Sequence, residues 1–286
     1  MLTALVLAAS LVFTESDAGF ALECASNLVE NCTPRDAGTI RGAIASNWLL
    51  DNISRHGVNV RRDRFAVMTP NGRRTMSNLS CSFLTNPDDE WVVLVSHYDT
   101  KSSVRCPGAN DGASTTGLLM AFARMVAERG LPRGNLMMIW TDGEECMRSY
   151  SANDGLWGSR RAAEALKARG MKVRAVICVD MLGDRDLNIC IPANGDDTLS
   201  AIACHAARRA NLGPHFSGRI REEVKDDHTA FAAAGWRAID LIDFNYGSAP
   251  GLNDYWHTPE DTVDKISAES LHMSGRLLAE ILNIIL

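Results

Sequence analysis

The sequence predicts an α/β fold: a three-layer sandwich with a mixed, mostly parallel central sheet flanked by helices. Three observations predict it. Continuous apolar runs recur at Trp91–Ser96, Asn135–Thr141 and Lys172–Val179, as in strands buried on both faces. Segments with helical spacing alternate with these runs. Earlier in the chain, Asn71-Gly72 sits between two polar-alternating segments, which is a hairpin signal and adds antiparallel edge strands.

The elements follow in order. Residues 17–31 place Phe20, Ala21, Cys24, Leu28 and Val29 at helical spacing. A second helix fits 37–55 and ends before the Gly57 turn. The hairpin strands lie near 58–68 and 74–84. After the first buried strand, 114–129 reads as a helix closed by Gly130, and 156–169 as one closed by Gly170. A short strand fits 187–191. Helices fit 197–211 and 227–234, a strand 237–243, and a C-terminal helix 266–286. No linker and no internal repeat interrupts this order, so residues 14–286 are expected to form one domain.

Residues 1–13, MLTALVLAASLVF, have the length of an export-signal core, but the first basic residue is Arg35. The expectation is an apolar leader and a periplasmic or secreted protein. No run of 18 apolar residues occurs in the sequence, so no membrane-spanning helix is expected. With 29 Lys+Arg against 35 Asp+Glu the net charge is −6, which argues against a nucleic-acid partner. A monomer is expected. The eight cysteines show no CxxC and no zinc-finger spacing. Most read as small buried residues, including Cys146. Cys24 with Cys32 is the candidate disulfide in an exported chain.

Polar residues concentrate where the buried strands end, the edge at which open α/β sheets build their sites. His97-Tyr98-Asp99-Thr100-Lys101 follows the first buried strand. Gly108-Ala109-Asn110-Asp111-Gly112 leads into the next helix. Asp142-Gly143-Glu144-Glu145 follows the second strand and Asp180 the third. Trp256-His257-Thr258 ends the loop after strand 237–243. Singly, each is explained as a helix cap or a solvated turn. Together they gather imidazoles and carboxylates on one sheet edge. Crowded carboxylates repel one another unless a cation lies among them, and mixed N and O donors suit zinc.

The ordered set His-x-Asp, Gly-Ala-x-Asp, Glu-Glu, Asp and His, from about His97 to His257, resembles that of the zinc-dependent aminopeptidases that bind paired metal ions. It also resembles that of their relatives, the animal-type glutaminyl cyclases. The resemblance implies that Asp111, Glu145 and His257 hold one zinc. His97 and Asp180 hold a second, with Asp111 bridging, if two are bound. It implies Glu144 as general base. Details lean toward the cyclases. The segment CMRSYSANDGLW separates Glu145 from Gly158-Ser159, where peptidases of this kind bring Gly-Ser close. His97-Tyr98-Asp99-Thr100-Lys101 resembles the cyclase His-Tyr-Asp-Ser-Lys, and Asp226-Asp227-His228 its Asp-Asp-His. Departures also occur. Tyr150 stands near a Trp position of the animal cyclases, Asp240 stands at a His position, and loop 244–254 does not match.

Two reactions on peptide or protein N-termini are therefore expected. In cyclisation the substrate's own α-amine attacks its γ-carboxamide, Glu144 moves the proton, and Asp180 and Asp226 share a proton beside it. Trp256 and Tyr150 would contact substrate. In hydrolysis, the alternative, water attacks the first peptide bond and Asp99 orients His97.

Overall fold

The computed structural model describes residues 10–102 and 104–286. Eight strands form one sheet in the order β1-β2-β4-β3-β5-β8-β6-β7. Their ranges are β1 Arg61–Thr69, β2 Gly72–Leu84, β3 Trp91–His97, β4 Asn135–Thr141, β5 Val173–Asp180, β6 Ile189–Ile191, β7 Phe216–Arg219 and β8 Ala238–Ile242. The central strands β4, β3, β5 and β8 run parallel, whereas β1 and β2 are antiparallel and β6 opposes β8. The helices are α1 Glu15–Cys32, α2 Ile40–Ser54, α3 Thr115–Arg129, α4 Trp157–Ala168, α5 Asp197–Arg209, α6 Asp227–Ala233 and α7 Ala268–Ile285.

Alternation along the buried strands divides the core. Val92 and Leu94 of β3 face α1, α3, α5 and α7, while Val93 and Val95 face α4 and α6. Both faces are therefore apolar, which is why these strands read as unbroken hydrophobic runs. The three-layer, mixed-sheet architecture matches the expectation.

Four details differ from the sequence reading or bear on it. The hairpin pairs Thr69 with Gly72, so its turn is Pro70-Asn71 and Gly72 opens β2 with φ 91°. Strand β7 was not anticipated, because it is four partly exposed residues with a glycine and no apolar run. All eight cysteines are free. Cys24 and Cys32 lie eight residues apart on α1, about 12 Å along a helix axis. That exceeds the Cα span of about 7 Å that a disulfide tolerates, so the proposed pairing is corrected. Residues 1–9 of the expected leader lie outside the described residues. Leu11 and Phe13 are buried in the core, and Phe13 stacks on Phe122 at 4.8 Å. Among the described residues no helix is long and apolar enough to cross a membrane.

Candidate metal centre and pocket

The parallel strands deliver their C-terminal ends to one edge. His97 pairs with Thr141 across β3 and β4, and Asp180 with Ile242 across β5 and β8. A π-helical turn, Ala109–Ser114, carries Asp111 into the same edge ahead of α3. A Cβ on Gly112 would sit 2.6 Å from both Nε2 and the carbonyl oxygen of His97, so only glycine permits this approach. His257 arrives on the loop after β8 with φ 57°, an unfavourable region for a residue with a side chain.

Two triads result, and they share one carboxylate. His257 Nε2 lies 2.7 Å from Glu145 Oε1 and 3.2 Å from Asp111 Oδ2. His97 Nε2 lies 3.0 Å from Asp111 Oδ1 and 3.2 Å from Asp180 Oδ1. Within each triad, one ligand atom per residue falls within 4.8 Å of the others. The structure thus brings together all five residues that the sequence singles out as ligands. Three nearly buried carboxylates with two imidazoles form a donor set that fits a divalent cation such as zinc, at either triad.

The electrostatics reflect this crowding. Burial raises the pKa of Asp111, but hydrogen bonds from His257 and His97 outweigh it and hold the group well below the usual range. Burial lowers His257, yet the same carboxylates lift it to about 9. Asp180 is pushed up to about 6, mainly by burial. Glu144 is raised by burial, then by Asp226 and Glu145.

A second layer holds the first. Asp99 accepts the backbone N–H groups of Gly143, Glu144 and Glu145 at 2.9, 3.1 and 3.3 Å, which fixes the Glu-Glu turn. Its Oδ1 is 3.6 Å from His97 Nδ1. Lys101 Nζ lies 3.2 Å from Glu145 Oε2 and 3.2 Å from Cys146 Sγ. Asp226 caps α6 and is buried close to Asp240, whose two carboxylate oxygens find no donor among the described residues. Sequence reasoning gave no role to Lys101, Asp261 or Arg35, although all three support the site. Asp261 and Arg35 sit in irregular segments where no periodicity separates a buried polar residue from a solvated one.

A cavity of about 570 Å³ opens onto this edge. Asp111, Glu144, Glu145, Asp180, Asp226 and His257 line its polar side. Tyr150, Val224, Ile242, Phe244 and Trp256 line the other. Trp256 stacks on the His257 ring at 3.8 Å and an interplanar angle of 23°. Tyr150 donates to Glu144 Oε1 at 2.8 Å. Both expected substrate contacts therefore lie on the cavity wall, each also touching a residue of the centre.

Comparison with known proteins gives a consistent picture. The sequence profile of peptidase family M28 matches residues 81–282. A glutaminyl cyclase from an Acidobacteriales bacterium, known as a crystal structure, is 31% identical. It superposes with a TM-score of 0.90 over 100% of this chain and 99% of its own. A glutaminyl-peptide cyclotransferase of Drosophila melanogaster is 23% identical, covering 86% of this chain and 76% of its own length. A leucine aminopeptidase precursor from Bacteroides thetaiotaomicron superposes with a TM-score of 0.83 at 22% identity, over 97% of this chain and 99% of its own. At that identity the last likeness is one of fold.

Proposed function

The chain belongs to peptidase family M28, and from that premise we propose that it is a zinc-dependent glutaminyl-peptide cyclotransferase. It converts N-terminal glutamine of peptides to pyroglutamate and releases ammonia. The observation that carries this reading is the segment between Glu145 and Gly158. It contributes Tyr150 to the cavity wall and sets that residue against Glu144, and its length is the feature that resembles cyclases rather than peptidases. The full-length match to the bacterial glutaminyl cyclase supports it.

In this reading Asp111, Glu145 and His257 hold one zinc ion, which when bound supplies Lewis-acid polarisation of the substrate's γ-carbonyl. His97 Nε2 sits between Asp111 Oδ1 and Asp180 Oδ1, and in this reading the three hold one another rather than a second ion. The acidic wall receives the substrate's α-amine. Glu144 accepts a proton from that amine as its nitrogen bonds to the carbonyl carbon of the side-chain carboxamide. The carbon–nitrogen bond of the carboxamide then breaks, and Glu144 returns the proton to the departing ammonia. Asp180 and Asp226 sit beside Glu144 with raised proton affinity, which suits them to share a proton during the relay. Trp256 and Tyr150 bound the side-chain space. Tethering of nucleophile and electrophile in one residue lowers the entropic cost of the step.

A second reading, aminopeptidase hydrolysis, is favoured by one observation: the His97–Asp111–Asp180 triad is also complete. Water then replaces the amine as nucleophile. The deciding experiment incubates zinc-loaded protein with a Gln-initiated and a Leu-initiated peptide and follows mass. Loss of ammonia from the first alone supports the cyclase. Release of free leucine or glutamine overturns it.

A further inference from the structure

We infer that Arg35 and Asp261 together clamp the backbone of residues 107–111, Arg35 by its carbonyls and Asp261 by its N–H groups, and thereby position Asp111, the carboxylate common to both triads. The inference rests on the reading of Asp111 as a metal ligand.

Arg35 is fully buried. Its Nε donates to the Tyr98 carbonyl at 2.6 Å, Nη1 to Pro107 at 2.6 Å and Nη2 to Gly108 at 2.5 Å. The guanidinium therefore ties the residue after His97 to the loop before Asp111. A buried cation normally needs a carboxylate partner, because removing charge from water is costly. Here the charge is directed at three carbonyls, and the nearby acids Asp261 and Asp111 balance it. The buried Asp261 accepts the N–H groups of Asn110 at 2.7 Å and Asp111 at 3.2 Å. Tyr246 holds it with a 2.7 Å hydrogen bond. Gly108, at φ 64°, completes the clamp: a Cβ there would overlap both Arg35 Nη2 and the Asp111 carbonyl oxygen. An apolar side chain of Arg35's volume could fill this space at less electrostatic cost. The fork geometry is what lysine cannot reproduce, since a single ammonium has no planar set of donors. Asp111 must present one oxygen to each histidine, so small rotations of its backbone spoil both triads at once.

The test measures zinc affinity of the full chain by competition with a fluorescent chelator, together with kcat and KM on a Gln-initiated peptide. Arg35→Lys and Asp261→Asn are each expected to weaken zinc binding ~10- to 100-fold, the usual effect of removing a group that orients a ligand. Their kcat falls in parallel, while KM stays within about threefold. The double variant loses less than the product of the single losses, because both act through one carboxylate. Tyr246→Phe, which loses one hydroxyl and no packing volume, shows a smaller shift in the same direction. Arg129→Lys, on the far side of α3, serves as the stability control and leaves zinc affinity unchanged. Folded Arg35→Lys with wild-type zinc affinity overturns the inference, as does an equal loss in Arg129→Lys. If Arg35→Lys does not fold, unchanged affinity in Asp261→Asn and Tyr246→Phe overturns it. A wild-type chain that binds no zinc instead overturns the metal-ligand reading beneath it.

Discussion

The Tyr150 hydroxyl donates a 2.8 Å hydrogen bond to Glu144 Oε1, from the segment between Glu145 and Gly158. A donor aimed at a carboxylate stabilises its ionised form. It therefore opposes burial, Asp226 and Glu145, which all raise the proton affinity of Glu144. Tyr150→Phe removes the donor and keeps the ring. Glu144 then holds its proton to higher pH, so the acid limb of the kcat/KM profile moves up. At neutral pH kcat/KM falls ~10- to 100-fold, as expected when a hydrogen bond to a charged group is lost. An unmoved acid limb would show that the contact does not tune Glu144.

Glu144→Gln keeps the size of the side chain and abolishes its basicity. Turnover is expected to fall ~10²- to 10⁴-fold, the range for a lost general base. Zinc content, read by elemental analysis, should remain at the wild-type level, because Glu144 belongs to neither triad. Activity near the wild-type level would remove Glu144 from the mechanism.

What could be read in advance follows from what each kind of residue must do. The buried strands were legible because both faces of β3, β4 and β5 are covered, so Val92 to Val95 had to be apolar throughout. His97, Glu145 and Asp180 were legible as neighbours because a parallel sheet collects strand ends, whereas the grouping of all five residues as ligands, Asp111 and His257 included, rests on the family resemblance. Strand β7 was not legible, since its pairing with β6 comes from tertiary context rather than from its own composition. Arg35 and Asp261 were hidden for a different reason. Their partners are mainly backbone groups brought close only by the fold, and backbone partners leave no mark in the sequence.

Removal of metal should make stability strongly dependent on pH. Burial, followed by Asp180, pushes Asp226 up to about 7. Burial, followed by Asp226, pushes Asp227 up to about 7, and burial, followed by Asp99, pushes Asp142 up to about 8. These groups hold protons in the folded state that the unfolded chain releases near pH 4. Raised folded values mean that stability is complete below the unfolded pKa and is lost as pH rises through the folded one. Each such group contributes up to ~1.4 kcal/mol per pH unit in that window. Chelated protein should therefore melt at a lower temperature near about pH 8 than near about pH 5. Zinc-loaded protein should show a flatter profile, because a bound cation favours the ionised acids around it. Equal slopes with and without chelator would show that the acid cluster does not respond to the metal.

Asp17 gives the opposite pH dependence, far from the pocket. It is buried on α1, where Arg129 Nη2 reaches its Oδ1 at 2.7 Å and Nη1 its Oδ2 at 2.9 Å. Thr14 donates to the same carboxylate from its backbone N–H and its hydroxyl, forming a capping box. Burial raises the pKa of Asp17, but Arg129 and Thr14 outweigh it and hold it below the usual carboxylate value. A depressed folded pKa places its contribution above the unfolded value, to be lost as pH falls through the folded one. Asp17→Asn should cost ~2 kcal/mol or more at neutral pH, since it leaves Arg129 and Thr14 with a weaker acceptor. The gap from wild type, read from urea midpoints, should be constant from about pH 5 to about pH 8 and narrow below about pH 4. Its partner Arg129 closes the C-terminal end of α3, whereas the Asp111 turn precedes the N-terminal end, so the substitution should lower stability without changing kcat. A gap that widened on acidification would show that Asp17 is not held ionised by its partners.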